Sequence, residues 1–392
     1  MIKRNITLRL KHLASQFPVI SLTGPRQSGK TTLVKLAFPN YNYYSLEDPD
    51  IRMIALNDPR KFLQNSLDKG MIIDEAQRVP DLFSYIQGIV DETNKEGQFI
   101  LTGSQNFLLL EKISQTLAGR VAILKLLPFT ISELKNGGIE TKNTNNLLFN
   151  GFYPRLYDKH ISATDYYPFY IQTYVERDVK FIKNITNQSL FIRFLKICAG
   201  RIGQLLNFTE ISNSCGISQI TAKKWLSVLQ ASYIIYLLPP HHKNFNKRLV
   251  KMPKLYFYDT GLACSLLGIK NVSQLNTHFA FGQLFENFVI NEFVKFSFNK
   301  GIEPALYFWR DKTGKEIDLI IELNDSLIPI EIKAGRTFNK DFLKNLKYWN
   351  KLSGENNYNS WLVYNGDKSF DFSETHILSF NDLGKLLELM NS

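Results

Sequence analysis

Short apolar runs that stop at polar or glycine-rich turns fill the N-terminal part of the chain, and segments of helical period separate them. Phe17-Pro18-Val19-Ile20-Ser21-Leu22, Tyr41-Asn42-Tyr43-Tyr44-Ser45-Leu46, Gly70-Met71-Ile72-Ile73 and Gln98-Phe99-Ile100-Leu101 have the length and bounds of strands. Residues 33–37 and 52–65 carry helical spacing between them, and residues 7–13 form a short amphipathic helix ahead of the first run. Apolar strands joined by helices predict an α/β fold with a doubly wound parallel sheet.

Further on the pattern changes. Residues 135–146 are rich in glycine and asparagine and predict a loop, and residues 170–179 predict a helix. Residues 208–232 predict a helix–turn–helix with Ser218 capping its second helix, and the runs at 233–238 and 255–258 predict the two strands of a wing. Towards the C-terminus, residues 285–293 predict an amphipathic helix. Three strands follow at 307–310, 316–322 and 327–333, the last two joined by a turn at Asn324-Asp325. With 392 residues, two or three domains are expected, and the pattern places them at 1–160, 161–275 and 276–392.

The candidate chemistry begins where the first strand ends, at Gly24-Pro25-Arg26-Gln27-Ser28-Gly29-Lys30-Thr31-Thr32. Strand, glycine loop, helix is the context of a phosphate-binding loop. The glycines let successive N–H groups face one concavity, and the helix that follows presents its positive end to an anion. Lys30 is expected to reach the β- and γ-phosphates of ATP, and the Thr31 hydroxyl to ligate Mg²⁺. The apolar run before Asp74 and Glu75 delivers two acids to the same end of the sheet, Asp74 for Mg²⁺ and Glu75 for the attacking water. Ser104 and Gln105, at the exit of the strand near residue 101, are candidates to contact the γ-phosphate or that water.

The order of these pieces resembles the AAA+ branch of P-loop ATPases. It is most similar to the bacterial and archaeal AAA-type ATPases that carry G-P-R-Q-x-G-K-T-T, I-I-D-E-x-Q and L-T-G-S, here at 24–32, 72–77 and 101–104. Leu117-Ala118-Gly119-Arg120-Val121 followed by Leu127-Pro128-Phe129 fits the same family, as does the Y-x-E-R-D pattern at 174–178. The resemblance makes Arg120 and Arg177 candidate arginine fingers or sensors; the alternatives are an exposed surface arginine at Arg120 and, beside Arg177, Glu176 and Asp178 as ordinary ion-pair partners. A finger supplied in trans would require a homo-oligomer.

Lys+Arg outnumber Asp+Glu by 47 to 36, a net charge of +11, which favours a polyanionic partner: nucleic acid, DNA ahead of RNA. Lys223 and Lys224 on the second helix of the helix–turn–helix, and Lys247 and Arg248 between the wing strands, are the candidate phosphate contacts. Such a winged helix also serves as a plain packing module. His241-His242 reads as a solvated turn with no metal partners nearby in sequence.

In the C-terminal strands, Glu331 and Lys333 lie two apart and face one side, Asp318 lies on the neighbouring strand, and Glu286 enters from the helix. Three acids around one point suit Mg²⁺ or Mn²⁺, and a lysine beside them can orient or deprotonate water. This set resembles the PD-(D/E)xK nuclease fold, although Glu316-Ile317-Asp318 stands where many members carry Pro-Asp. The resemblance implies Glu286, Asp318, Glu331 and Lys333 as catalytic, with Asp318 and Glu331 on the metal. Other E-x-K triplets, Glu133-Leu134-Lys135 and Glu140-Thr141-Lys142, do not sit in such a strand.

These parts lead to an expectation of an ATP-hydrolysing protein acting on nucleic acid, with a metal-dependent nuclease-like C-terminal region. The alternative is an ATP-gated switch in which the nuclease fold is silent. No apolar run reaches the roughly 18–20 residues of a membrane span. The N-terminus lacks the apolar stretch of a secretory signal, and the three cysteines, Cys198, Cys215 and Cys264, are widely spaced. The expected setting is the cytoplasm.

Overall fold

The computed structural model describes residues 1–64, 66–104, 116–175, 187–242, 249–323, 326–353 and 359–391. A five-stranded sheet is built from β1 (Val19–Thr23), β2 (Asn42–Ser45), β3 (Met71–Asp74), β4 (Phe99–Gly103) and β5 (Val121–Lys125), in the order β2-β3-β4-β1-β5. Every neighbouring pair is parallel. Side chains alternate across it: Phe99 and Leu101 join one apolar layer, Ile100 the other. Parallel pairing brings the carboxyl ends of β1, β3 and β4 to one edge, where open α/β sheets bind their ligands.

The helix expected over 52–65 is broken. Pro49–Asn57 and Pro59–Gln64 are separate helices, and Asp58 between them has φ −142° and ψ 76°. Pro59 explains the break, because its ring disfavours the helical conformation at the residue before it. The loop expected over 135–146 is narrower than its composition suggests. Ile131–Asn136 is a helix opened by a Thr130/Glu133 capping box, and Thr144–Asn150 is a helix capped by Asn143. Asparagine there starts a helix instead of prolonging a loop.

Phe208–Cys215 and Gln219–Ala231 are the two helices expected after residue 208, with Gly216 at φ +76° between them and the Ser218 side chain accepting from Thr221 N. They are followed by β6 (Ile235–Leu238) and β7 (Lys254–Phe257), an antiparallel pair. His241 is not a solvated turn residue. It is 9% exposed, its ring lies edge-on to Tyr307 at 5.2 Å, and its N–H donates to Phe308 O at 2.7 Å.

A mixed six-stranded sheet closes the chain. It contains β8 (Leu306–Arg310), β9 (Glu316–Leu323), β10 (Ser326–Lys333), β11 (Ser360–Tyr364), β12 (Phe370–Phe372) and β13 (Thr375–Ser379), in the order β12-β13-β11-β10-β9-β8. The helix Phe281–Asn299 touches both β10 of this sheet and β5 of the parallel one. It is buried around much of its circumference rather than amphipathic, and takes Asn287, Asn291, Glu292 and Lys295 into the interior with it. Those polar residues imitate a solvent face in the sequence, but they are spent on backbone: Asn287 exchanges hydrogen bonds with Phe257 N and O at 2.8 and 2.7 Å.

Candidate functional site

The loop after β1 has the backbone that its glycines permit. Gly24 is at φ +147°, and a Cβ there would stand 2.1 Å from Leu126 O. Gln27 and Gly29 are also left-handed, at φ +62° and +91°. Lys30, 7% exposed, lies back on its own loop, donating to Gly24 O at 2.9 Å and Pro25 O at 2.8 Å. Thr31 Oγ1 donates to Asp74 Oδ2 at 2.8 Å, and the Tyr43 hydroxyl donates to the same oxygen at 2.9 Å. Asp74 Oδ1 accepts from Thr102 Oγ1 and from Glu75 N. Burial and the neighbouring Asp74 push the Tyr43 hydroxyl above its ordinary range, so it stays a donor.

Glu75 sits at φ +55°, an uncommon conformation for a non-glycine residue. Its Oε2 accepts from Gln77 Nε2 at 2.5 Å and Ser104 Oγ at 3.3 Å. A cleft of about 1500 Å³ opens over Lys30, Thr31, Glu75 and Ser104, with Arg26, Gln27, Gly29 and Thr32 along its floor. Arg4 and Arg155 line it from other parts of the chain. A hydroxyl beside a carboxylate is an oxygen-only donor set that fits Mg²⁺. The expected residues Lys30, Thr31, Asp74, Glu75 and Ser104 therefore meet at one place. Arg120 does not join them: it is paired on the surface with both oxygens of Asp91, at 2.5 and 2.9 Å. Gln105, Arg177, Lys247 and Arg248 lie outside the described residues.

The C-terminal acids are arranged differently. Asp318 Oδ2 accepts from Ile332 N at 2.8 Å and from Lys333 Nζ at 3.1 Å, and Lys333 also pairs with Glu331. Glu286 is not the third member of this set. Lys254, arriving on β7 and 2% exposed, takes it at 3.0 Å and binds Glu316 at 2.5 Å. The Tyr256 hydroxyl also donates to Glu286, and Arg310 holds the other oxygen of Glu316 at 3.1 Å. Glu286 is diverted because a buried carboxylate needs a partner and the nearest cation stands on β7.

Burial alone would lower Lys254, but Glu286, Glu316 and Asp318 push it above the usual lysine range. Burial likewise opposes the charge of Lys333, and Asp318 and Glu331 outweigh it. Burial and then Asp318 raise the Glu331 carboxyl. Among the described residues, no three His, Cys, Asp or Glu side chains stand so as to share a metal ion. As arranged, these acids do not fit the three-carboxylate centre expected from sequence.

The chain matches the family model of an AAA domain over residues 16–135. Two further models match, each described as a domain of unknown function: DUF8612 over 141–273 and DUF4143 over 281–383. Uncharacterized proteins of Mycobacterium tuberculosis and Mycobacterium bovis are each 30% identical to it over 399 aligned positions, covering 99% of this chain and 87% of theirs. The chain belongs to their family, and its own residues 16–135 are an AAA-type P-loop ATPase module. An uncharacterized protein of Haemophilus influenzae is 20% identical across 79% of this chain and 81% of its own. Among solved structures, the Walker-type ATPase of Pyrococcus abyssi aligns with a TM-score of 0.46 and 13% identity, over 68% of this chain and 96% of that one.

For this ATPase family member, the residues that sequence patterning missed are those that reach the loop from a distance. Tyr43 holds Asp74 from β2 with no motif signal, being an ordinary strand residue, and Thr102 holds it from β4, inside the L-T-G-S pattern but with no role read for it there. Arg4 reaches Ser28 O from the N-terminal segment, a contact across 24 residues with no local pattern. Lys254 reads in sequence as one of several wing lysines. No helix among the described residues is long and apolar enough to cross a membrane.

Proposed function

We propose that this ATPase is a nucleotide-gated switch acting on nucleic acid, in which the C-terminal acids form an ion-pair lock instead of a cleavage centre. One observation carries it: Glu286, Glu316, Asp318 and Glu331 are already matched by Lys254, Arg310 and Lys333. In the cleft, Lys30 leaves the Gly24 and Pro25 carbonyls for the β- and γ-phosphates of ATP. Thr31 and Asp74 would hold Mg²⁺, which neutralises charge on those phosphates when bound. Glu75 orients the attacking water, its carboxylate steadied by Gln77 and Ser104.

Nucleic acid, DNA ahead of RNA, is assigned as partner on the net charge of +11 and on Lys223 and Lys224, exposed on the helix Gln219–Ala231. Division into an ATPase region at 1–160, a helical and winged-helix region at 161–275 and a nuclease-like region at 276–392, in a cytoplasmic protein, belongs to the same proposal.

A second reading, a metal-dependent nuclease, is favoured by one atom: Glu331 Oε1 is buried and has no hydrogen-bond partner. The test is ATP turnover together with binding and cleavage of labelled single- and double-stranded DNA and RNA, with Mg²⁺ or Mn²⁺. Lys30→Ala and Asp318→Ala are run beside the native chain. The switch requires nucleotide-dependent binding that Lys30→Ala abolishes, with no cleavage. Cleavage lost in Asp318→Ala would replace the switch with the nuclease.

A further inference from the structure

The segment ahead of the first helix enters the nucleotide cleft, and no motif covers it. Arg4 is its anchor. The side chain is 8% exposed, and all three guanidinium nitrogens are engaged. Nε donates to Glu133 Oε1 at 3.1 Å, Nη1 to Ser28 O at 2.7 Å and Nη2 to Leu127 O at 2.6 Å. The fully buried Glu133 carboxylate is held in turn by Asn5 N at 2.7 Å and Thr130 N at 2.9 Å. Arg4 thus joins the phosphate-binding loop, the chain leaving β5 and the first turn of the helix Ile131–Asn136. Its guanidinium lies 4.9 Å from the centre of the Phe129 ring.

The Ser28 contact bears on chemistry. A peptide unit is planar and trans, so the Ser28 carbonyl and the Gly29 N–H point in opposite directions. An arginine that holds the carbonyl therefore fixes the N–H on the other side. Gly29 is where the loop turns into the helix Lys30–Ala37, the place where N–H groups gather an anion. We propose that Arg4 is a positioning residue for ATP, orienting the Ser28–Gly29 peptide so that its N–H faces the phosphates. A planar guanidinium with a fixed fork of donors spans three acceptors, and a lysine cannot.

The anchor is firm because the same stretch is gripped from behind. Lys295 Nζ donates to Phe129 O at 2.7 Å, and Ile131 N donates to Glu292 Oε2 at 2.9 Å, both partners lying on the helix Phe281–Asn299. The inference rests on ATP binding at the loop and is independent of what the C-terminal acids do.

The experiment titrates the full-length protein with fluorescent ATP and ADP analogues, native beside Arg4→Lys, Arg4→Ala and Glu133→Gln, and records the melting temperature without nucleotide. Arg4→Lys, which can keep the ion pair to Glu133 but not all three acceptors, is expected to bind both nucleotides roughly 10- to 100-fold more weakly while melting only a few degrees lower. Both nucleotides suffer alike because a cradle peptide serves phosphates they share. Native affinity in Arg4→Lys overturns the proposal. A loss confined to ATP overturns it too, since that is the mark of a γ-phosphate contact. So does a loss that follows the melting temperature across the variants, which would make Arg4 a structural residue only.

Discussion

The two acidic sites of this molecule use the same ingredients at the ends of strands, yet they stand in opposite states. At the nucleotide cleft, Lys30 rests on two backbone carbonyls, and Asp74 is held by hydroxyls and one N–H. At the C-terminal site, Lys254 and Lys333 rest on carboxylates. Neutral partners are exchanged for a ligand at modest cost, about 1 kcal/mol for an ordinary hydrogen bond and roughly 1.5–3 where one partner is charged. Breaking a buried ion pair leaves an uncompensated charge and costs about 3–5 kcal/mol. The first site is therefore poised to receive a charged ligand, and the second is closed by its own cations.

The largest expected effect tests the poised site. Glu75→Gln keeps the shape of the side chain and removes the charge that polarises water, so ATP turnover should fall by roughly 10²–10⁴-fold with nucleotide binding retained. Single-turnover kinetics beside equilibrium binding check this, and full activity in the variant would remove Glu75 from the chemistry. The next effect tests the lock. Lys254→Met leaves Glu286 without a cation and Glu316 with Arg310 alone, and should destabilise the fold by about 3–5 kcal/mol, read from urea denaturation. Restoring part of that loss with Glu286→Gln would confirm the pairing. Mn²⁺ restoring it instead would turn the lock into a cation site and break the contrast between the two sites.

Within the lock, two acids should respond oppositely to pH. Burial alone would raise the Asp318 carboxyl, but Lys333 and Lys254 hold it below the usual aspartate range. A depressed folded value means its stabilisation is present above the unfolded pKa near ~3.9 and disappears as pH falls through the folded value. The Glu331 carboxyl is raised, by burial first, so its ionised form costs stability near neutrality and that cost vanishes on acidification. Asp318→Asn should thus cost about 1–3 kcal/mol at pH 7 and little once the pH has fallen below the depressed folded value of Asp318. Glu331→Gln should cost less than Asp318→Asn at pH 7. Equal costs across the whole range, measured by denaturation, would separate these residues from the pairing.

The contrast also explains what was legible in the sequence. A phosphate-binding loop needs left-handed backbone at fixed positions, and Gly24 and Gly29 announce it locally. Asp74 and Glu75 follow an apolar strand whose direction the parallel sheet fixes. The closed state of the other site depends on Lys254, which stands 32 residues before Glu286 on a different sheet, and nothing in either segment encodes the meeting. The helix Phe281–Asn299 misled for a related reason, since polar residues such as Asn287 mark a solvent face only when no buried backbone needs them. Arg4 and Glu133 are 129 residues apart, and although Glu133 closes a local capping box with Thr130, nothing in the sequence pairs it with Arg4.

The smallest expected effect asks how firmly the poised site is held before a ligand arrives. Asp74 has four donors, two on each oxygen, so losing one leaves three. Tyr43→Phe removes the hydroxyl on Oδ2 and keeps the ring, over which Lys35 Nζ sits at 3.5 Å from the centre. Stability should therefore change by only about 1 kcal/mol. The carboxylate, however, loses the one side-chain donor on that oxygen that does not belong to the nucleotide loop, since Thr31 must turn to the metal. An Mg²⁺ titration of nucleotide binding should require a several-fold higher Mg²⁺ concentration in the variant, with metal-free nucleotide affinity unchanged. A change in metal-free affinity of the same size would place Tyr43 on the loop's conformation instead of on the carboxylate.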